Sequence, residues 1–346
     1  MPGHFAKGCC TALMVLMSAG TLRGQSPSPP GPQVSVGGIV YGQFAYFLSD
    51  SAGHGNNFDI TRAYINVIGR FPHGIGTRVT PDIYRNADGS LTYRLKYAFV
   101  TWSPNQGPVT LKLGMVNTPV VEWEETLWDY RMQGTVAMDR NGYLSSSDIG
   151  FLVDGNWGRE RVSLSAGIIN GENYNRTPGD KGKDLAGRLS VRLLATDDES
   201  RTGGLRLTGY AHYGRPTGGG TRQRYLAMLS YRSNRLTLAG EVAATRDSAL
   251  TDPLTPGRSG RVLTAFGVFR IPDSKAAVIA RFDSVDPNTG AAGDRQDRII
   301  AGLSYQVAPN LRVLADLDHL TYQGGVTTPA LEAVRSQALF QVQFTF

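Results

Sequence analysis

Apolar and polar side chains alternate residue by residue along many segments of this chain, and that alternation limits what the chain can fold into. In residues 184–194, Leu185 and Leu189 fall on one face and Arg188 and Arg192 on the other. Successive side chains of a strand point to opposite faces, so each segment predicts a ribbon with one apolar and one polar surface. The segments run to about 9 to 13 residues, as a tilted strand needs to cross hydrocarbon, whereas soluble strands usually have about 5 or 6. A transmembrane antiparallel β-barrel is therefore favoured over a soluble sandwich, which would bury the apolar faces as its core.

The number of such segments also favours a barrel. We expect an all-β fold of about sixteen strands, with 14 or 18 as alternatives, and an even number is typical of single-chain outer-membrane barrels. Closing the sheet on itself pairs every backbone N–H and C=O group, which hydrocarbon requires. The predicted strands are 34–48, 58–69, 75–86, 91–103, 108–116, 147–156, 160–169, 184–194, 204–214, 222–233, 235–246, 260–271, 275–285, 296–307, 310–322 and 334–346.

Two local expectations concern the third and fourth of these strands. In the fourth strand the alternation places Tyr97 and Phe99 on the lipid side and Arg94 and Lys96 on the inner side. In the third strand Pro81 cannot donate a hydrogen bond to a neighbouring strand. Pro81 therefore predicts either a bulge or an error in our register at that point.

Short turns alternate with long, polar, glycine-rich loops along the chain. Outer-membrane barrels have short turns on the periplasmic side and long loops on the extracellular side. The parity of the strands then places both termini in the periplasm. Two connections depart from the alternation, because 86–90 is short for its class and 195–203 is long.

The N-terminus has the pattern of an export signal. A short apolar core at 9–19 is followed by small residues, and a core of this length is too short to span a bilayer. We predict a cleaved signal peptide at 1–24, which would remove both cysteines. Residues 25–33 form a Pro/Ser-rich linker, and the barrel is expected at 34–346.

Composition and spacing argue against other classes of protein. No stretch approaches the roughly 18 uninterrupted apolar residues of a membrane-spanning helix, which excludes a helical membrane protein. The histidines lack the paired spacing of a metal site, and no glycine-rich phosphate loop joins a strand to a helix. The arginines are spread over the strands rather than clustered as in a nucleic-acid site. We therefore expect no enzyme activity, no cofactor, no metal and no nucleic-acid partner.

The polar faces of the predicted strands carry many cations. Charges of both signs inside a barrel need water, because a dry interior would be unfavourable by several kcal/mol for each unpaired ion. A barrel of about sixteen strands leaves an aqueous channel, so we expect a hydrated pore whose cationic excess weakly favours anions. The predicted pore-lining residues are Arg62, Arg78, Arg94, Lys96, Lys112, Arg188, Arg192, Arg206, Arg298 and Arg312.

The loop at about 117–146 differs in composition from the other loops. It is rich in apolar and aromatic residues, which are unfavourable in water unless they are packed. We expect it to fold into the lumen and form a constriction; a cap over the mouth or a contact between subunits is the alternative. Its candidate constriction residues are Glu122, Glu124, Glu125, Trp128, Asp129 and Arg131.

The first third of the barrel resembles the phosphate-selective porin O and P family. The resemblance lies in FDITRAYINVIGRF, VTPDIYRN, LTYRLKYAFVTWSP and VTLKLGMVNTPVVEWEE, where Arg62, Asp82 and the stretches 98–102 and 114–119 match the family pattern. It implies a sixteen-stranded, often homotrimeric, diffusion channel with an inward constriction loop. Phe346, at the end of the last alternating strand, similarly resembles the signal that the outer-membrane assembly machinery reads.

One departure from that family bears on selectivity. The family relies on a cationic constriction, whereas this loop holds more acidic than basic residues, so phosphate specificity does not carry over. We expect a Gram-negative outer-membrane porin, embedded in lipid, that passes small anionic or polar solutes with mild anion preference. A substrate-specific channel for phosphate or an organic anion is the first alternative, and a structural or adhesion barrel without an open pore is the second.

Overall fold

The computed structural model describes residues 31–346 except 52, 175, 177–180, 216–218, 249–256 and 326–327. The predicted signal peptide and residues 25–30 of the predicted linker lie outside the described residues. The alternating segments form sixteen strands that close into one antiparallel barrel, as predicted. The strands are β1 Gln33–Phe47, β2 Asn56–Phe71, β3 Ile75–Arg85, β4 Leu91–Trp102, β5 Val109–Asn117, β6 Ser147–Trp157, β7 Val162–Ile169, β8 Asp184–Leu194, β9 Gly204–Gly214, β10 Arg222–Arg232, β11 Leu236–Asp247, β12 Arg258–Arg270, β13 Ala276–Asp286, β14 Gln296–Ala308, β15 Leu311–Tyr322 and β16 Ser336–Thr345.

The barrel is closed by the pairing of its first and last strands. Each other strand pairs only with its neighbours along the chain, and β1 pairs antiparallel with β16. At the seam, the Gly38 and Phe346 backbones exchange two hydrogen bonds of 2.9 and 3.1 Å. The sheet therefore has no free edge.

The alternation predicted from the sequence sorts side chains between the two faces of the wall. On β8, Leu185 is 54% exposed on the outer face, whereas Arg188 is only 4% exposed on the inner face. The outer face thus exposes apolar groups, while the inner face carries the polar and charged groups and the buried apolar cluster that packs on the inward loop.

A β-bulge changes the face assignment halfway along β4. The pairing of β3 with β4 runs from Thr80 with Tyr97 directly to Pro81 with Leu95, so Lys96 has no partner residue. Because a one-residue insertion inverts every following side chain, Tyr97 is buried at 6% exposure and Val100 is 53% exposed. The prediction that Tyr97 faces lipid was therefore wrong.

The bulge has the same effect on Phe99, which packs against the buried cluster instead of facing lipid. Its physical cause is Pro81, which has no N–H group to donate to the ladder. The predicted conflict at Pro81 is thus a bulge. Arg94, which precedes it, and Lys96, the bulged residue, keep the predicted inner face.

The helices of the barrel are short and lie in its connections. Two 3-10 turns, Pro72–Gly74 and Pro104–Gln106, occupy short connections. The helices are α1 Val121–Leu127, α2 Ala137–Arg140 and α3 Pro329–Val334. None of the helices in the described ranges is long and apolar enough to cross a membrane.

Helix α3 was not predicted. Its residues lie partly in the predicted loop at 323–333 and partly in the strand predicted from 334. The Thr328 hydroxyl accepts a hydrogen bond from the Leu331 amide at 3.3 Å and caps the helix, and Pro329 occupies its first turn. Both are typical helix-starting residues. Strand β16 consequently begins only at Ser336.

Candidate pore and its inward loop

The segment between β5 and β6, residues 118–146, lies inside the barrel. The Tyr130 hydroxyl is 2.6 Å from the Ser304 hydroxyl of β14. The Gln341 side chain of β16 donates to the Met132 carbonyl at 2.9 Å. Because Ser304 and Gln341 are buried on the inner face of strands far from β5 around the wall, the segment crosses the lumen. We call this segment the inward loop.

Two tryptophans of the inward loop fix it to the wall. Trp123 is fully buried, and the Arg188 guanidinium lies 4.0 Å from its ring centroid. Arg188 also donates through Nε to the Pro119 carbonyl at 3.0 Å. Trp128 is fully buried against Phe266 of β12, with ring centroids 5.4 Å apart. Apolar burial and cation–π contact therefore hold opposite ends of helix α1.

Most of the acidic residues proposed for the constriction form ion pairs with arginines. Three of the four predicted acidic residues make ion pairs, with one guanidinium from the loop itself and two from outside it. The pairs are Glu122 with Arg201 at 3.0 Å, Glu125 with Arg131 at 2.5 Å and Asp129 with Arg270 at 3.1 Å. The loop therefore contributes little net negative charge to the lumen.

Glu124, the fourth acidic residue, is buried against the wall beside Glu241 of β11. Burial raises the pKa of Glu124 well above its usual range, and the neighbouring Glu241 carboxyl raises it further. A protonated carboxyl can donate a hydrogen bond to its neighbour, whereas two carboxylates would repel each other. Glu124 is thus harder to ionise than an ordinary glutamate, which reduces its contribution to the negative charge of the lumen.

The ten predicted pore-lining cations all lie on strands of the wall, but they fall into three groups by their partners. The first group makes ion pairs with neighbouring carboxylates and adds little net charge. These pairs are Arg62 with Asp82 at 2.7 Å, Lys112 with Asp154 at 2.6 Å and Arg298 with Asp318 at 2.7 Å.

The second group donates to backbone carbonyls and braces the loop or the turns. Arg188 and Arg312 bind carbonyls of the inward loop, the latter that of Asp129 at 2.9 Å. Arg192 and Arg206 instead bind carbonyls at the turn end of the barrel, those of Arg159 at 2.7 Å and Gly203 at 3.0 Å. Their role in the described structure is to hold backbone segments in place.

The third group consists of Arg78, Arg94 and Lys96 on β3 and β4, which we call the tyrosine-held cations. In the described part of the chain, none of them has a carboxylate within 4.0 Å. Arg78 donates to the Asn66 side chain at 3.0 Å and lies 4.4 Å from the centroid of the Tyr97 ring. These partners are neutral, so they hold the cation without cancelling its charge.

Arg94 and Lys96 have the same kind of surroundings. Arg94 lies 4.5 Å from the ring centroids of both Tyr84 and Tyr174, and it donates to the Tyr174 hydroxyl at 2.6 Å. Lys96 is buried and donates to the Tyr64 hydroxyl at 2.9 Å. Ring faces attract cations, which orders these side chains on one wall of the lumen.

The pKa of Glu125, in the inward loop, responds to the positive charge of nearby cations. Burial raises the pKa of Glu125, but the cations Arg131, Lys96 and Arg62 lower it by more, so the net pKa lies below its usual range. The Glu125 side chain is partly buried, and nearby cations favour the charged form of such a carboxyl. The lumen next to β2–β4 is therefore electropositive.

A polar cavity of about 300 Å³ lies between the inward loop and the wall. Its lining includes four arginines, Arg62, Arg131, Arg140 and Arg298, and one carboxylate, Asp318. One terminal nitrogen each of Arg131 and Arg140 is buried without a hydrogen-bond partner among the described protein groups. Each of these nitrogens lies near a carboxylate, Arg131 at 4.0 Å from Asp139 and Arg140 at 3.9 Å from Asp318.

The described residues contain no group of three His, Cys, Asp or Glu side chains that could hold a metal ion. The neighbouring Asp318 and His319 also do not act together. Asp318 binds Arg298, whereas His319 Nδ1 lies 2.5 Å from the Ser336 hydroxyl. Adjacent strand residues point to opposite faces, which separates them.

The tyrosines that hold the cations were not predicted as site residues. Tyr64 and Tyr84 lie at alternating positions on β2 and β3, and that periodicity could have placed them on the inner face. Tyr97 was assigned to the wrong face, because the bulge lies between it and Arg94. Tyr174 lies in the loop before β8, and no pattern in the sequence connects it with β4.

No protein-family model matches the sequence, and no curated protein matches it. Among solved structures, the chain is similar to OmpF of Salmonella typhi in complex with daunomycin, at 13% identity and a TM-score of 0.68, over 91% of this chain and 98% of that one. The anion-selective porin of Comamonas acidovorans matches at 13% identity and a TM-score of 0.66, over 91% and 100% of the two chains.

A loop L8 deletion mutant of OmpT, an outer membrane protein of Vibrio cholerae, matches at 12% identity and a TM-score of 0.66, over 92% of this chain and 100% of that one. At such identities these likenesses show the fold, which is the sixteen-stranded barrel of bacterial porins. They do not confirm the resemblance to the phosphate-selective family.

Proposed function

We propose that this chain is a passive diffusion channel of a Gram-negative outer membrane, with its long loops outside and both termini in the periplasm. The apolar outer face suits lipid, and the charged inner face needs water. The inward loop would form the constriction of the channel. Small hydrophilic solutes would pass with a mild preference for anions.

The observation that carries the anion preference is a difference in charge between the inward loop and the wall at β3 and β4. Three of the candidate acidic residues of the inward loop pair with arginines and the pKa of the fourth, Glu124, is raised, whereas the tyrosine-held cations have no carboxylate within 4.0 Å in the described structure. A low-dielectric wall with fixed charges of one sign raises the local concentration of counter-ions. Chloride and small carboxylates would thus enter more readily than potassium.

The decisive experiment is the reversal potential of the reconstituted protein in a planar bilayer under a KCl gradient. We expect discrete conductance steps and a reversal potential on the anion-selective side. A clear cation preference would contradict the proposed charge balance. Absence of conductance in folded protein would contradict the channel itself.

A structural or adhesion barrel with a closed lumen is the second candidate. Its support is the extent of the inward loop, which binds β8 through Arg188 and reaches across to β14 and β16. The same recording separates the two candidates, since only the channel conducts.

The remaining proposals concern partners. The often trimeric state of the resembled family makes a homotrimer our proposed assembly. Phe346 is exposed on the outer face with its ring stacked near Phe344, at 6.3 Å between centroids, which suits recognition by the outer-membrane assembly machinery. Phosphate specificity is not part of the proposal, because three of the ten predicted cations are paired with carboxylates.

A further inference from the structure

The outer face of β10–β13 changes character towards the loop end of the barrel. At mid-height it exposes apolar side chains such as Leu229, Val242 and Leu263. Close to the loops it exposes Arg246 and Arg261 instead. Arginine on the lipid face of a barrel is unfavourable at the bilayer midplane and tolerated near the interface. The two side chains therefore mark the level at which this face meets headgroups.

The strand register brings these two arginines together. Arg246 of β11 pairs with Ser259 of β12, and Ala244 pairs with Arg261. Arg246 and Arg261 are thus diagonal neighbours on the same face, and the backbone positions of such neighbours are about 7 to 8 Å apart. Two guanidinium groups at this spacing can bind one anion jointly.

The charge of these arginines is largely uncancelled in the described structure. Neither Arg246 nor Arg261 has a carboxylate within 4.0 Å among the described residues, whereas Arg295, also at the loop end, pairs with Asp297 at 3.3 Å. Asp286 stands opposite Arg261 in the register and supplies a single negative charge on this face. Two arginines and one aspartate leave a net positive patch.

Aromatic and amide groups next to the arginines suit the same interfacial depth. Gln223 of β10 pairs with Arg246, and its side chain accepts a hydrogen bond from the Tyr225 hydroxyl at 3.4 Å. Tyr225 is exposed on the outer face, as is Tyr213 of β9. Tyrosines with an apolar ring and a polar tip form the girdles of transmembrane barrels.

We propose that Arg246 and Arg261 bind the phosphate of a phosphorylated glycolipid in the outer leaflet. Guanidinium groups bind phosphate oxygens through paired, charge-assisted hydrogen bonds, and the acyl chains would lie along Val242 and Leu263. The assignment to the outer leaflet rests on the membrane orientation proposed above. Lipid binding itself is independent of conduction.

The test is native mass spectrometry of the full mature chain in detergent, titrated with diphosphorylated lipid A. The variant Arg246→Gln/Arg261→Gln removes both guanidinium groups from exposed positions. We expect its apparent affinity to fall about tenfold or more, as for the loss of charged hydrogen bonds. The variant Arg246→Lys/Arg261→Lys, which keeps the charge but not the planar fork, should lose less.

A matched control is Arg235→Gln/Lys275→Gln, which removes the same charge from exposed positions at the turn end. It should bind lipid A as the unaltered chain does. Dephosphorylated lipid A should bind the unaltered chain no better than the Arg246→Gln/Arg261→Gln variant binds lipid A.

Equal affinity of the unaltered chain and the Gln variant would overturn the proposal, as would equal affinity for dephosphorylated lipid A. Stronger binding of phosphatidylglycerol than of lipid A would overturn its assignment to the outer leaflet. Conductance of the same samples separates the two proposals, since a silent channel that binds lipid A contradicts only the proposed function.

Discussion

The Arg188 guanidinium lies 4.0 Å from the centroid of the Trp123 ring and donates to the Pro119 carbonyl at 3.0 Å. One side chain of β8 thus holds the start of the inward loop through a ring contact and a hydrogen bond. Desolvated cation–π contacts contribute about 2 kcal/mol, and hydrogen bonds to charged donors contribute about 1.5 to 3 kcal/mol. The position of the loop in the lumen depends on contacts of this kind.

Replacing Arg188 should therefore loosen the loop. We expect Arg188→Gln to lower the free energy of unfolding by about 2 kcal/mol and to increase the current noise of single channels. Urea unfolding and single-channel recording measure these two effects. Arg192→Gln is the control, because Arg192 binds only a turn carbonyl, and equal noise in both variants would contradict the assigned role.

The tyrosine-held cations should set the ion selectivity. Arg78→Gln and Lys96→Gln each remove a positive charge that has no carboxylate within 4.0 Å in the described structure, so the reversal potential in a KCl gradient should move towards cation selectivity. The control is Arg62→Gln/Asp82→Asn, which removes an ion pair and leaves the net charge unchanged. A larger shift in the control than in the single variants would refute this assignment.

Stability should depend on pH through Glu124. Because burial and Glu241 raise the pKa of Glu124, its neutral form stabilises the folded state. This stabilisation is complete below the unfolded pKa of about 4.3 and is lost as pH rises through the raised folded value. We expect the free energy of unfolding to fall towards alkaline pH, and Glu124→Gln should flatten that slope.

Urea unfolding at several pH values would measure the slope. Glu122→Gln provides the comparison, since Glu122 is partly exposed and paired with Arg201. If Glu124→Gln keeps the slope of the unaltered chain, the buried carboxyl pair is not its source.

The bulge at Lys96 makes a prediction about which side chains water reaches. Beyond it, Thr101 faces the lumen and Val100 faces outward. We expect Thr101→Cys to react with a water-soluble maleimide in reconstituted protein and Val100→Cys to resist it. Mass measurement of the labelled chain reads the result, and the reverse pattern would restore the uninterrupted alternation.

The periodicity of the sequence was sufficient to predict the strands because the two faces of the wall meet different surroundings. Moving Leu185 to the inner face and Arg188 to the outer face would place an apolar group against water and a charge against lipid, so the order of the two residues records the fold. The bulge could be suspected at Pro81 but not followed to Tyr97, since it depends on how β3 and β4 pair. Helix α3 was missed although Thr328 and Pro329 mark its start.

The candidate site was less predictable than the wall. That a cation lies inside follows from its position on a strand, but its partner does not. Arg270 binds Asp129 across 141 residues of sequence, and Arg94 meets Tyr174 across 80. Such contacts depend on how the inward loop and the neighbouring loops fold against the wall, and no local pattern encodes them.

The seam between Gly38 and Phe346 has a consequence for biogenesis. Every other strand pair joins neighbours in sequence and can zip together as hairpins emerge, but this pair joins residues near opposite ends of the chain. Bringing distant ends together is entropically slow, so ring closure would be the final step. Until β16 has joined β1, the sheet has two open edges whose unpaired backbone groups can mispair.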